Sequence, residues 1–174
     1  MDTLDRLAAG NARFARRDFD PALRMMPSAA VLVIGCVDPR VDPSHVFGMD
    51  LGESAVLRNI GGRVTPGMLE QLALLRTLAQ ATTGDFDRGW NFVVLQHTDC
   101  GIVHMQSHPR QLADYFGVNP GDLSAKKVSD PYAAVALDVA ALRADPNLPA
   151  GMRSSGWVYD TATGRTQLVV PPQP

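Results

Sequence analysis

This 174-residue sequence has no long apolar run and no excess of charge of either sign. No uninterrupted apolar segment approaches the roughly 20 residues that a membrane-spanning helix needs. The first residues, Met1 to Arg6, carry two aspartates and no apolar segment, so they do not have the pattern of a secretory signal. A formal net charge of −2 gives no indication of binding to nucleic acid or to an anionic membrane surface. We therefore expect a cytoplasmic protein with neither as a partner.

Cysteine is scarce as well, since Cys36 and Cys100 are the only two in the sequence. Two cysteines do not make a disulfide scaffold, and in a reducing compartment they are expected to be free, metal-bound or catalytic. The G-x-G-x-x-G and Walker phosphate loops are absent, as are internal repeats. With 45% hydrophobic residues over this length, the sequence suits one globular domain spanning residues 1–174.

Short strand-like runs alternate with helical patterns along most of the chain. The predicted strands lie at 30–35, 55–58, 91–96, 157–160 and 167–170, and the main helical patterns at 3–17, from 66 and from 131. This alternation predicts an α/β fold, with a mainly parallel central β-sheet of four to five strands flanked by α-helices. The run at 30–35 is apolar throughout, which is typical of a strand covered on both faces.

Three local features carry further expectations. The helix at 3–17 has a thin apolar stripe, which fits either packing on a partner subunit or a simple surface helix. Thr3 is the predicted N-cap of this helix, and Ser44 the predicted cap of a short helix at 45–49. The proline-rich tail, residues 171–174, is expected to be frayed.

Both cysteines follow strand-like runs. Cys36 comes directly after the run at 30–35, and His97 and Cys100 follow the run at 91–96. Because ligands of open α/β sheets gather at the carboxyl ends of the strands, the three side chains meet if these two strands are neighbours. Two thiolates and an imidazole suit Zn²⁺, and three protein ligands leave a fourth tetrahedral position open, as in a catalytic zinc site. Zinc lowers the pKa of a bound water to about 7, so a hydroxide there is a nucleophile at neutral pH.

Asp38 and Arg40 follow Cys36 at intervals of two residues. A carboxylate beside the zinc has two options. It accepts a hydrogen bond from the bound water and orients it, or it occupies the fourth position itself and closes the site. Arg40 would hold the carboxylate in a bidentate pair and decide between the two. In isolation an Asp-x-Arg segment is usually a turn with a surface ion pair, but its position directly after a ligand cysteine favours the functional interpretation.

At these residues the sequence resembles the β-class carbonic anhydrases. The family pattern C-x-D-x-R followed by H-x-x-C is present as Cys36, Asp38 and Arg40 and then His97 and Cys100. Three further segments resemble the family, and they are the N-terminal helix signature at 9–14, the R-N-x-G segment within 56–62 and the closing hairpin at 159–164. The resemblance covers most of the chain.

The resemblance implies a zinc enzyme that reversibly hydrates CO2 to bicarbonate through zinc-bound hydroxide. By position, Cys36, His97 and Cys100 would bind zinc, and Asp38 would orient the hydroxide or, in a closed form, coordinate the metal. Arg40 would pair with Asp38, and the backbone N–H of Gly101 would help to hold the substrate. The family assembles as dimers, often paired into tetramers, with the N-terminal helix on the partner subunit. We therefore expect a homodimer or homotetramer.

Two features depart from the family pattern. Plant-type members carry a glutamine shortly before the first cysteine that donates to bicarbonate, whereas this chain has no glutamine before Gln71. The substrate contact must therefore differ or come from elsewhere. The stretch 107–130, which prolines and glycines interrupt, also matches the family poorly and is expected to consist of short pieces.

Three other functions stay open at this point. Relatives with the same ligands hydrolyse carbonyl sulfide or carbon disulfide, and the width of the pocket would decide between these substrates and CO2. A zinc-binding homologue without turnover is a second alternative, against which the intact Asp38 and Arg40 argue. A redox dithiol protein that uses Cys36 and Cys100 is a third, but it would leave His97 without a role.

Overall fold

The structure, a computed structural model, describes residues 2–83, 88–149 and 151–173. Its strands are β1 (Val31–Cys36), β2 (Ser54–Asn59), β3 (Arg88–His97), β4 (Gly151–Asp160) and β5 (Arg165–Gln173). Its α-helices are α1 (Thr3–Arg17), α2 (Pro43–Phe47), α3 (Pro66–Thr83), α4 (Pro109–Phe116) and α5 (Pro131–Ala144). Three 3₁₀ helices, Ile60–Gly62, Gly101–Ser107 and Pro120–Lys126, connect them.

The five strands form one sheet in the order β2-β1-β3-β4-β5. All neighbouring pairs are parallel except β4 and β5, which form an antiparallel hairpin. The predicted α/β fold with a mainly parallel central sheet is therefore confirmed. β1 lies directly beside β3, with Gly35 opposite Leu95, so the carboxyl ends of the two strands that precede the cysteines are adjacent.

The main core lies between the sheet and the helices. Leu32 and Ile34 of β1 and Phe92 and Val94 of β3 are at most 1% exposed. They belong to one buried cluster with apolar residues of α3 and α5, which include Leu72, Val135, Val139 and Leu142. This packing fixes the positions of the strand ends, because side chains in a close-packed core cannot shift without loss of contacts.

The stretch 107–130 contains more regular structure than the sequence indicated. It forms α4 and the 3₁₀ helix Pro120–Lys126, and Leu112 and Phe116 of α4 bury against Ile102 in a second apolar cluster. The prolines that we took as interruptions stand at the first turns of these two elements. Proline is favoured there because the first N–H groups of a helix have no partner within the helix.

Three local expectations were wrong. α1 is capped by Asp2 and not by Thr3, through a capping box with Asp5. α2 begins at Pro43, and the Asp42 carboxylate, not Ser44, accepts from its first N–H groups. β5 continues through Gln173, so residues 171–173 are not frayed, and Pro174 lies outside the described residues. Prolines are tolerated there because β5 is an edge strand.

Among the described residues, every helix falls short of the length and apolar character that crossing a membrane requires.

Candidate metal centre

Cys36, His97 and Cys100 converge where β1 and β3 end. Their ligand atoms all lie within 4.8 Å of one another, and the two Sγ atoms are 3.8 Å apart. Both cysteines are free thiols. Cys36 and His97 are buried, and Cys100 is half-buried. The convergence that the strand-end argument predicted is thus present.

Backbone N–H groups converge on the sulfur of Cys36. Gly61 donates to Cys36 Sγ over 3.3 Å, and Asp38 donates over 3.5 Å. The hydrogen bond from Cys100, with the neighbouring His97 imidazole and these amides, lowers the pKa of Cys36 to about 4 against the opposing effect of burial. The pKa of Cys100 is raised in turn, chiefly by the neighbouring sulfur of Cys36. Two thiols this close cannot both ionise without a cation between them, and this favours a bound metal ion.

His97 is prepared as a ligand by its own hydrogen bonding. Its Nδ1 lies 2.8 Å from the carbonyl oxygen of Thr98, an arrangement in which Nδ1 carries the proton and donates. Nε2 then bears the lone pair, and it is the one fully enclosed side-chain nitrogen or oxygen without a hydrogen bond in the described part of the chain. A buried acceptor beside two thiols is costly unless something binds it. The residues present therefore fit a zinc ion, and Nε2 would be the imidazole ligand.

Asp38 and Arg40 form the predicted pair. Arg40 Nη2 and Nε donate to Asp38 Oδ2 over 2.8 and 3.3 Å, and Nε also lies 3.1 Å from Oδ1. This guanidinium lowers the pKa of Asp38 to about 2. The Asp38 carboxylate does not join the group of three ligands. In this conformation the aspartate is therefore held by Arg40.

Asp99 contributes a contact to Arg40 that the sequence analysis missed. Its carboxylate accepts from Arg40 Nη1 over 2.8 Å, and its backbone carbonyl accepts from Nη2 over 2.9 Å. Asp99 has a positive φ of 52°, a conformation that aspartate adopts more readily than most residues. Arg40 thus bridges the segment after β1 and the segment after β3. The sequence held a signal for this contact, because Asp99 is an acidic residue inside His97-x-x-Cys100. Once the two strand ends meet, an acidic residue there can pair with Arg40, the last residue of C-x-D-x-R.

Arg58 holds the same loop from the neighbouring strand. Its Nε donates to the carbonyl of Cys36 over 2.7 Å, and its Nη2 donates to the carbonyl of Asp38 over 2.7 Å. Its Nη1 pairs with the carboxylate of Asp42 at 3.0 Å. The segment from Cys36 to Asp42 is therefore fixed at both ends by one side chain of β2. In the sequence Arg58 belongs to the R-N-x-G segment that resembles the family, but the sequence did not predict that Arg58 holds this loop.

Gly101 opens the 3₁₀ helix Gly101–Ser107 directly after Cys100. The first N–H groups of a helix have no partner within the helix, so the Gly101 amide is free of helical bonding. Apart from its chain neighbours and its own helix, no described residue has a heavy atom within 4 Å of the position that a Cβ would take at Gly101. The side-chain position of Gly101 therefore borders open space next to Cys100.

A model of the carbonic anhydrase family matches residues 31–118 of this chain. Over 173 residues the sequence is 28% identical to β-carbonic anhydrase 1 of Mycobacterium tuberculosis, covering 98% of this chain and all of that protein. The crystal structure of carbonic anhydrase from Streptococcus mutans superposes with a TM-score of 0.73 at 29% identity, covering 97% of this chain and 98% of that one. A carbon disulfide hydrolase of an Acidianus species is 26% identical over 160 residues, covering 76% of this chain and 74% of that protein.

The sheet order, the Cys-His-Cys cluster and these matches together assign the chain to the β-class of the carbonic anhydrase family. The resemblance inferred from C-x-D-x-R and H-x-x-C is thereby confirmed. The class comprises carbonate dehydratases, as we expected from the sequence.

Proposed function

We propose that this protein is a zinc-dependent carbonic anhydrase that interconverts CO2 and bicarbonate. The observation that carries the proposal is the enclosed, unpaired Nε2 of His97 beside two thiols, with the Asp38–Arg40 pair in the adjoining turn. Family membership supports the same reaction. A zinc ion held by Cys36, His97 and Cys100 would act as a Lewis acid and acidify a water molecule towards neutral pH.

Each remaining residue has a role in this proposal. Asp38, kept ionised by Arg40, accepts a hydrogen bond from an O–H of the reacting water. This contact orients a lone pair of the water towards CO2. Arg40 holds Asp38 away from the metal ligands, and Asp99 holds Arg40. The amide of Gly101 donates to an oxygen of the substrate. If Arg40 released Asp38, the carboxylate would be available as a fourth ligand, and the site would close.

The decisive experiment combines metal analysis with stopped-flow CO2 hydration from pH 7 to 9. We expect one zinc per chain and turnover well above the uncatalysed rate. Protein that carries one zinc per chain without turnover at any of these pH values would overturn the proposal in favour of a zinc-binding homologue. A disulfide between Cys36 and Cys100 without metal would instead support the redox dithiol function.

Hydrolysis of carbon disulfide or carbonyl sulfide is the second candidate, because two relatives of this chain are named carbon disulfide hydrolase. The polar residues around the ligand cluster suit bicarbonate, the anionic product of CO2 hydration. Assay of all three substrates with the same preparation separates the candidates. Carbonyl sulfide or carbon disulfide turnover far above CO2 hydration would establish the second.

We further propose that the chain, a single domain, works as a cytoplasmic homodimer or homotetramer. None of the residues of α1 is buried within the chain, and Leu4 and Leu7 are 70% and 62% exposed. An amphipathic helix that buries nothing in its own subunit gains stability when its apolar stripe lies on another one.

A further inference from the structure

A cavity of about 280 Å³ borders the ligand cluster, and its walls include His97 and Cys100. Arg63 and Gln96 line the same cavity, although they are only 2% and 3% exposed. Arginine is seldom buried this deeply unless it is paired, so its position in the wall needs an explanation. The proposed mechanism assigns no role to either residue.

The pairing of Arg63 leaves one donor unused. Its Nε donates to Asp138 Oδ2 over 2.7 Å, and its Nη2 donates to Asp138 Oδ1 and to the carbonyl of Lys126 over 3.3 and 2.9 Å. Nη1 makes no hydrogen bond with the described residues. Nη1 is also not fully buried, because His97 Nε2 is the single fully buried side-chain nitrogen or oxygen without a hydrogen bond among the described residues. Nη1 therefore keeps some accessible surface, and Arg63 is part of the cavity wall.

Gln96 presents the complementary group. Its amide Nε2 donates to Asp138 Oδ2 over 2.7 Å. Because a carboxylate paired with an arginine only accepts hydrogen bonds, this contact fixes the nitrogen towards Asp138 and the oxygen away from it. Oε1 has no hydrogen bond among the residues that the structure describes. The wall thus includes one side chain with a free cationic donor and one with a free neutral acceptor, and both side chains are held by the same carboxylate.

The surrounding charge favours an anion. Arg63 and the ammonium of Lys126 both lie over the ring of Phe116, at 4.8 and 5.7 Å from its centroid. Asp138 balances one of these two cations. A small planar anion with one hydroxyl group satisfies the free donor and the free acceptor together, whereas CO2, carbonyl sulfide and carbon disulfide have no hydroxyl group for the acceptor and no negative charge for the donor.

We propose that Arg63 and Gln96 bind bicarbonate in this cavity, Nη1 donating to a charged oxygen and Oε1 accepting from the hydroxyl group. The inference rests on the proposed function and extends it, because it supplies the polar contact that the absent glutamine before Cys36 leaves open. It also assigns a specificity role, since CO2, carbonyl sulfide and carbon disulfide carry no charge for Arg63 to recognise.

The test uses the zinc-loaded protein and the double variant Arg63→Gln/Asp138→Asn, which removes both buried charges and keeps hydrogen-bonding groups in place. We expect the KM for bicarbonate in dehydration to rise about tenfold, the effect of losing one charge-assisted hydrogen bond. The KM for CO2 in hydration should stay within about twofold. Bicarbonate should also raise the Tm of the unmodified protein more than that of the variant, because a ligand stabilises only the form that binds it.

The matched control is Arg143→Gln. Arg143 is another partly buried arginine, bonded to Ser154 and to the carbonyl of Pro171 and absent from the cavity wall. An unchanged bicarbonate KM in the double variant, or an equal rise in the control, would overturn the inference. If the double variant does not fold, Arg63→Lys replaces it. We expect this variant to raise the KM for bicarbonate by about threefold, and an unchanged KM would overturn the inference. Unmodified protein without CO2 turnover would refute the proposed function, while the bicarbonate Tm shift and its loss in the variant would still test the cavity.

Discussion

At the scale of single residues, the metal centre depends on how each side chain is prepared by its neighbours. The carbonyl of Thr98 sets the tautomer of His97, and the amide of Gly61 supports the sulfur of Cys36. Arg40 donates hydrogen bonds to both carboxylate oxygens of Asp38 and to the carboxylate of Asp99. Orienting partners of this kind commonly change metal affinity or activity by 10- to 100-fold when they are removed.

Asp38→Ala should retain zinc and lose most activity, because the reacting water loses the acceptor that orients it. We expect kcat/KM for CO2 hydration to fall by about 10- to 100-fold, with zinc content unchanged by elemental analysis. Asp99→Ala is the matched comparison, since it removes the other, exposed partner of Arg40 and should cost less than about threefold. Normal hydration by the Asp38 variant would refute the role assigned to it.

Cys100→Ala should lose zinc and stability together, because metal binding to the folded state adds to its free energy of unfolding. We expect the Tm to fall by at least about 5 °C, since 1 kcal/mol corresponds to about 2–4 °C in a domain of this size. Unmodified protein stripped with a chelator should fall to a similar Tm, and the chelator should then leave the Tm of the variant unchanged. A variant that still binds one zinc with normal affinity would show that Cys100 is not a ligand.

The convergence of Cys36, His97 and Cys100 could be predicted from the sequence because it follows from local patterns. Cys36 and His97 stand directly after apolar runs and Cys100 three residues further on, and parallel strands bring such positions to one edge of the sheet. The contact between Arg63 and Asp138 could not be predicted, since it joins residues 75 positions apart and depends on how α5 packs on the sheet. A weak signal was present, because Asp138 is an acidic residue among the buried apolar positions of α5.

At the scale of elements, the close approach of the 3₁₀ helix Ile60–Gly62 to β1 and β3 places the amide of Gly61 on the sulfur of Cys36. Gly62 permits this approach. It has a φ of 61°, and a Cβ there would lie 2.9 Å from both the backbone nitrogen of Cys36 and the carbonyl oxygen of Leu95. Backbone on both sides leaves no flexible atom that could move aside. In the sequence this glycine pair belongs to a segment that resembles the family, but the pattern did not predict its contact with β1.

Gly62→Ala should therefore destabilise the protein by about 1–3 kcal/mol and weaken zinc binding, because the strand end that carries Cys36 must move. Denaturant unfolding and zinc titration measure the two effects. Gly67→Ala is the control. Gly67 lies in α3, and apart from its chain neighbours and its own helix backbone no described residue has a heavy atom within 4 Å of its Cβ position, so alanine there should be neutral or stabilising by up to about 1 kcal/mol. Equal stability of the two variants would contradict the packing role of Gly62.

The elements themselves were predicted more reliably than their ends. All five strands were anticipated, but β3, β4 and β5 are longer than the apolar runs that indicated them. Hydrophobic pattern reports burial, whereas a strand continues for as long as its backbone finds a partner. α4 was missed for a related reason. Its apolar residues bury against a 3₁₀ helix, a contact that exists only in the folded chain.

At the scale of the whole molecule, α1 is the element that the single chain does not explain. It has a capping box at its start and two arginines in its last turn, so it is well formed, yet none of its residues is buried. A helix of this kind in isolation is marginally stable in water. We expect its apolar stripe to be covered by a second subunit.

Leu7→Lys should weaken assembly, because a charge placed in the stripe must be desolvated when α1 docks. Sedimentation velocity at several protein concentrations should show the unmodified chain as a dimer or tetramer and the variant shifted towards the monomer. Thr163→Lys is the control, since it adds the same charge to the exposed turn between β4 and β5. Monomeric unmodified protein at high concentration would rule out the assembly.

The three hydrogen-bonding nitrogens of Arg58 have a consequence for the rate at which metal is taken up. They hold the carbonyls of Cys36 and Asp38 and the carboxylate of Asp42 in the folded chain. Ordering a backbone residue costs roughly 1–2 kcal/mol, and here that cost falls on folding and not on metal binding. A zinc ion that entered the apo-protein would thus meet a loop that the fold already orders, and the rate of capture would depend on thiol deprotonation and on the release of water from the ion.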